Sequence, residues 1–196
     1  MERPIALEHL RVTDSMTIAL PIRTPRLVVR EFQPSDLPAY LEFMLDEAST
    51  QYLAFEDAQK TESGATDLFN YVISAYDSEN PVHAYAIALA DTNRYVGSCG
   101  FSPYETDVVE CYWSINPGER RHGYAFEAMQ GLLETLRVSG IGEVRAYAST
   151  ENLPSLNLAQ KLGMANRGRA VHAHSGLEGI VYSMVFSSPS NSTQQA

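Results

Sequence analysis

The chain has 196 residues, with 14 Lys+Arg against 24 Asp+Glu and a formal net charge of -10, which argues against a nucleic-acid partner because phosphate-backbone affinity is built from clustered Lys and Arg. At 44% hydrophobic and 19% charged residues, it has the make-up of an ordinary globular domain, so pervasive disorder is not expected, and its two cysteines, Cys99 and Cys111, are too few for a disulfide framework and read as reduced. With acid at Glu2 and no uninterrupted apolar segment behind it, no secretory signal is expected, and no apolar run approaches the roughly 20 residues that span a bilayer, so a cytoplasmic protein without membrane contact is expected.

Residues 1–20 show no clean periodicity and read as an N-terminal extension, and the polar segment 188–196 reads as a flexible tail, leaving one domain over 21–187. Residues 26–32 form the first strand candidate, after which Pro34-Ser35-Asp36 offers a helix start with Ser35 as N-cap, followed by Leu37, Tyr40, Leu41, Met44 and Leu45 at helical spacing. A second amphipathic helix carries Leu68, Phe69, Val72, Ile73 and Tyr76. Three strand candidates follow, 82–90, 95–101 and 108–115, joined by Asp91-Thr92-Asn93 and Thr106-Asp107; connections this short imply an antiparallel meander. After Asn116-Pro117-Gly118 the period changes, and Ala125, Ala128, Met129, Leu132, Leu133 and Leu136 mark a long helix ending near Gly140. Residues 144–149 read as a strand, Pro154 suits the first turn of a helix ending at Gly163, and two strands fit 164–171 and 179–186. The fold class is therefore α/β (α+β), with a parallel pair demanded only by the βαβ unit around the long helix.

The segment Ser114-Ile115-Asn116-Pro117-Gly118-Glu119-Arg120-Arg121-His122-Gly123-Tyr124-Ala125 runs from a strand through a basic, glycine-containing turn straight into a helix. Such a junction points unpaired backbone N–H groups and the positive helix end at one spot, and it suits an anion. Gly123 lets the backbone approach a pyrophosphate, while Arg120, Arg121 and His122 supply charge in an otherwise acidic chain. Alone, the turn reads equally as a solvated strand-to-helix connection. Neither a G-x-x-x-x-G-K-[ST] loop nor a G-x-G-x-x-G fingerprint is present.

The chain resembles the GNAT superfamily of N-acetyltransferases on several motifs in order. Arg120-Arg121-His122-Gly123-Tyr124-Ala125 matches its [Q/R]-x-x-G-x-[G/A] acetyl-coenzyme A loop. Thr24-Pro25-Arg26-Leu27-Val28-Val29-Arg30, Glu110-Cys111-Tyr112-Trp113 and Tyr124-Ala125-Phe126-Glu127-Ala128 look like the RimJ/RimL-type branch, which acetylates ribosomal-protein N-termini. Glu151-Asn152-Leu153-Pro154-Ser155 with Gln160-Lys161-Leu162-Gly163-Met164 is similar to the family's Asn-x-x-Ser and Lys-Leu-Gly-Phe stretch. The resemblance implies a mixed, mostly antiparallel twisted sheet of about seven strands with helices on both faces, opening in a V where acetyl-CoA binds.

The resemblance also implies roles. Trp113, Ser114 and Ile115 would offer backbone groups to the pantetheine and the thioester carbonyl, residues 120–125 would hold the pyrophosphate, and Asn152 would bond the pantetheine arm, or cap the helix that follows, or both. Many GNAT enzymes carry a proton-donating tyrosine seven residues after that asparagine, where this chain has Ala159, so the role of partner to the departing thiolate passes to Ser155; a first-turn structural role is the competing reading. Glu110 is the general base candidate, the one carboxylate in the apolar strand 108–115, with a water-facing side chain or a water base as alternatives. His172 and His174 lack further ligands and read as a loop at the acceptor mouth, so no metal is expected. The implied activity is transfer of acetyl from acetyl-CoA to a primary amine, a protein N-terminus or a small amine, by a monomer or homodimer. An acyl-CoA-binding module without turnover is the alternative, and a nicotinamide oxidoreductase is disfavoured because the phosphate turn follows an antiparallel meander. Acceptor selectivity is expected from residues 55–60, the second helix and the turn 172–178.

Overall fold

A computed structural model describes residues 18–173 and 175–186; both terminal segments predicted as extension and tail lie largely outside them, as does His174. The strands are β1 (Ile22–Arg23), β2 (Leu27–Arg30), β3 (Ala84–Leu89), β4 (Tyr95–Glu105), β5 (Val108–Ile115), β6 (Glu143–Ala148), β7 (Ala165–Val171) and β8 (Glu178–Val185), and the helices are α1 (Leu37–Met44), α2 (Glu47–Thr50), α3 (Glu62–Ala75), α4 (Tyr124–Val138) and α5 (Leu153–Lys161). The strands join in one sheet in the order β1-β2-β3-β4-β5-β6-β8-β7. Every pairing among the described residues is antiparallel except β5 with β6, the pair flanking α4. The mostly antiparallel mixed sheet expected from the sequence is therefore present, with one strand more than expected: β1, whose two residues pair with Val28 and Val29.

Alternation along the strands divides two cores. Tyr85, Ile87, Val96, Val109, Cys111, Val144 and Ala146 turn to one face, where Met129, Leu132 and Leu136 of α4 and Leu156 of α5 cover them. Ala86 and Tyr95 turn to the other, where Tyr40, Phe43 and Met44 of α1 meet Phe69 and Val72 of α3 over Phe32. The period-2 pattern in the strands and the 3.6 period in the helices thus point the same side chains inward. Cys99 and Cys111 are buried free thiols.

The first helix starts differently from the expectation. A 3-10 turn, Pro34–Asp36, precedes α1, and Asp36 rather than Ser35 occupies the capping position. The Asp36 carboxylate is held there by the Gln33 N–H at 2.8 Å and by the Arg30 guanidinium at 2.7 and 3.0 Å. Two charge-assisted contacts of this kind outweigh what a serine hydroxyl offers.

His83 is buried beside the meander, stacked on Phe101 with centroids 4.3 Å apart and with Nδ1 2.9 Å from the Tyr85 hydroxyl. Burial pulls its imidazole down to about 4 from 6.5. In the unfolded chain the ring takes up a proton near pH 6.5 and in the folded protein only near pH 4, so stability is lost as pH falls through this window. The loss amounts to about 3 kcal/mol in full. His83→Phe should flatten the acid limb of a urea-midpoint profile between these values; an unchanged slope would contradict the assignment.

Candidate active site

The parallel pairing of β5 with β6 runs Val108↔Glu143, Val109↔Val144 and Glu110↔Arg145 and ends there, although β5 continues to Ile115 and β6 to Ala148. The two strands part at Glu110. On its other side β5 stays paired with β4 in continuous register from Gly97↔Ile115 to Pro103↔Val109. The Asn116 N–H donates to the Val96 carbonyl at 3.0 Å, so positions of the same parity, Ser114 and Tyr112, also turn their backbone groups to β4. Cys111, Trp113 and Ile115 turn theirs into the opening. Of the three residues expected to offer backbone groups there, Trp113 and Ile115 do, whereas Ser114 spends its backbone on β4 and points its side chain to the α1/α3 face. Asn116 anchors the strand end by donating from Nδ2 to the Ala39 carbonyl of α1 at 2.7 Å.

Beyond that end, a 3-10 turn, Pro117–Glu119, leads into the basic loop. Arg121 has φ 67° and Gly123 φ 80°, both in the left-handed region, which curls the chain so that its N–H groups converge. The N-cap residue of α4 is Gly123, which has no side chain to cap with, and the amides of Tyr124, Ala125 and Phe126 have no helical partners. Glu127, in the first turn of α4, has its carboxylate committed to the Thr24 hydroxyl at 2.6 Å, the Arg26 N–H at 2.8 Å and Arg26 Nε at 2.7 Å. Burial pushes its carboxyl up, but these donors outweigh burial and hold it below the usual carboxylate range. Arg26 also donates to the His122 carbonyl at 3.0 Å and lies over the Tyr124 ring, which itself stacks on His122. The stretch 24–26 therefore braces the loop from below, a job that spacing alone did not reveal. Arg120 reaches the Ile115 carbonyl at 3.4 Å and Ser49 Oγ at 2.6 Å, and Arg121 is exposed. This is a cradle of backbone donors and two guanidinium groups, suited to a pyrophosphate.

Across the opening, Asn152 caps α5 by accepting the Ser155 N–H at 3.3 Å, which realises one of its two expected roles. Ser155 is half-buried in the first turn. Ala159 is 1% exposed within the core, so that position offers neither a hydroxyl nor access.

Glu110 stands where β5 and β6 part, on the face shared by Tyr112, Ser114, Arg145 and Tyr147. Its Oε1 lies 2.9 Å from His172 Nε2, and the two side chains are 25% and 15% exposed. Among the described residues no hydrogen bond reaches Oε2. His172 was expected to line the acceptor mouth; its pairing with Glu110 was not foreseen, because the two lie 62 residues apart. The loop 55–60 is largely a 3-10 turn, Asp57–Lys60, leading into α3. Among the described residues no helix is long and apolar enough to cross a membrane.

A sheet opened at a parallel pair, beside a helix start that follows a basic, glycine-containing turn, suits an acyltransferase acting on a coenzyme A thioester. Residues 26–165 match the profile of the acetyltransferase (GNAT) domain, so the chain belongs to the GNAT family, whose members use acetyl-CoA, and it is an acyltransferase enzyme. It is 28% identical over 149 residues to the uncharacterized N-acetyltransferase YnaD of Bacillus subtilis (strain 168), covering 75% of this chain and 84% of that one. Among solved structures, the GNAT-family acetyltransferase from Bacillus anthracis superposes with a TM-score of 0.72 at 24% identity, over 85% of this chain and 98% of that one. RimL, the ribosomal L7/L12 α-N-protein acetyltransferase, in complex with coenzyme A superposes with a TM-score of 0.70 at 15% identity, over 85% and 98%. At these identities the structures show the shared fold.

Proposed function

We propose that the protein acetylates a primary amine from acetyl-CoA by direct attack in a ternary complex, with the RimJ/RimL-type branch as its nearest functional setting. The observation that carries this reading is the juxtaposition of three features in one opening: the backbone groups of Trp113 and Ile115 that β5 turns away from β4, the anion cradle of residues 120–125, and the Glu110 carboxylate, whose Oε2 no hydrogen bond reaches among the described residues. The residues fit acetyl-CoA. Arg120, Arg121 and the amides from His122 to Ala125 hold the pyrophosphate, with Gly123 giving the close approach, while Asn152 and the β5 backbone bond the pantetheine arm. That same backbone polarises the thioester carbonyl as negative charge develops on its oxygen.

Glu110 Oε2 takes the proton of the acceptor ammonium, and the freed amine attacks the carbonyl. The C–S bond then breaks as the tetrahedral intermediate collapses to the amide; the proton the attacking nitrogen sheds passes to the departing thiolate, which Ser155 Oγ–H hydrogen-bonds as it leaves. No metal ion has a task in this sequence. The net charge of -10 favours a cationic acceptor in the cleft, while the loop arginines form a local basic region for the cofactor. A protein N-terminus and a small amine both answer to this chemistry. A cytoplasmic location and a monomer or homodimer complete the proposal.

The test is thiol release from acetyl-CoA offered peptides beginning with Ser, Ala or Met and aliphatic diamines of increasing length. At least one amine should raise free coenzyme A well above the amine-free rate. If none does while acetyl-CoA still binds, the transfer reaction proposed here is wrong and the chain only holds acyl-CoA.

A further inference from the structure

We infer that His172 is a positioning residue for Glu110, holding one carboxylate oxygen so that the other meets the acceptor ammonium; the inference rests on the base role proposed for Glu110. The hydrogen-bond pattern assigns the ring's tautomer. The Ser175 backbone N–H donates to His172 Nδ1 at 3.1 Å, and a backbone amide has no lone pair to offer in return, so Nδ1 is an acceptor. The ring proton of the neutral imidazole therefore sits on Nε2, directed at Glu110 Oε1 2.9 Å away. Neither nitrogen is then placed to take the ammonium proton: Nε2 already carries one, and Nδ1 is committed to the amide. The acceptor's proton goes to Glu110 Oε2, and His172 keeps its own throughout.

The ring is held by its surroundings. The His172 N–H bonds the Leu177 carbonyl at 2.8 Å and the Gly176 N–H bonds the His172 carbonyl at 2.9 Å, which closes the turn between β7 and β8. Ser175 Oγ lies 2.9 Å from Nδ1 and takes the Leu177 N–H at 3.4 Å. The Tyr147 ring sits 4.9 Å from the imidazole, and its hydroxyl donates to the Leu177 carbonyl. Gly179 makes this seat possible, because a Cβ there would come within 2.7 Å of the Tyr147 ring and 2.4 Å of the Ala148 carbonyl. A glutamate side chain alone has three rotatable bonds; one bond to a ring seated in this way removes most of that freedom before substrate arrives.

The experiment uses the full chain with acetyl-CoA and the amine that gives the largest thiol release in the panel above. His172→Ala should lower kcat about 10- to 100-fold, the range expected for a displaced catalytic group, with the KM for acetyl-CoA nearly unchanged. His172→Gln, which keeps an N–H donor of similar reach, should recover most of the lost kcat. Glu110→Gln/His172→Ala should be no slower than Glu110→Gln alone, because a residue acting through Glu110 has nothing left to act on. In 15N spectra of the unmodified protein, His172 should show a protonated Nε2 and a bare Nδ1. Wild-type kcat in His172→Ala, a further loss in the double variant, failure of His172→Gln to rescue, or the opposite tautomer would each overturn the inference. Full activity in Glu110→Gln would instead overturn the base assignment, so the two failures are distinguishable.

Discussion

Glu110→Gln is expected to lower kcat about 10²- to 10⁴-fold, the usual worth of a positioned general base, while the affinity for acetyl-CoA changes little. The variant is nearly isosteric, and its side-chain carbonyl still accepts the His172 Nε2–H, so β5, the opening and the turn that holds His172 should persist. It lacks a basic oxygen that can take the ammonium proton. The contacts proposed for the cofactor lie elsewhere, on the Trp113 and Ile115 backbone and on residues 120–125, so binding and chemistry should separate cleanly. Titrating acetyl-CoA calorimetrically alongside steady-state kinetics makes the comparison. A variant with near wild-type kcat would transfer the deprotonation to water.

That prediction draws on a site only half legible in the sequence. The strand, the basic turn with Gly123 and the helix start of the proposed cofactor side were readable because they are local: they lie within about a dozen consecutive residues, and helix geometry fixes where their amides point. The same holds for β5, whose observed bounds, Val108–Ile115, match the expected ones because Asp107, with φ 58°, and Asn116-Pro117 end the strand at both sides. The acceptor side depends on contacts between distant segments. No spacing rule links Glu110 to His172 or Thr24 to Glu127, and both pairs exist because the sheet order runs β5, β6, β8 and packs α4 on β2. Short elements were likewise hidden: β1 has two residues and α2 four, too few for a period to register. Ser114 illustrates a finer limit, since which way its backbone faces depends on the parity of the β4 register.

The largest loss of stability is expected from Arg30→Leu. Arg30 Nη1 and Nη2 grip the Asp36 carboxylate at 2.7 and 3.0 Å, while Nε reaches Asn93 Oδ1 at 2.7 Å, Nη2 the Asn93 carbonyl at 3.1 Å and Nη1 the Glu31 carbonyl at 2.9 Å. The two charged side chains are 10% and 3% exposed. Leucine would bury well at this site, but it would leave Asp36 as an uncompensated charge away from water, which costs about 3–5 kcal/mol. For a chain of this size that corresponds to a fall in Tm of roughly 10–15 °C.

Arg30→Leu/Asp36→Leu should recover part of the loss, because the orphaned charge is gone, and that recovery separates the electrostatic cost from lost packing. Urea midpoints for both variants make the test, and a loss below about 1 kcal/mol in Arg30→Leu would show the pair to be no more than an ordinary surface bridge. The effect should also reach the active site. Asp36 starts α1, α1 presents the Ala39 carbonyl to Asn116, and Asn116 holds the end of β5 where the strand opens. A loosened α1 should therefore raise the dissociation constant for acetyl-CoA even under conditions where the variant remains folded.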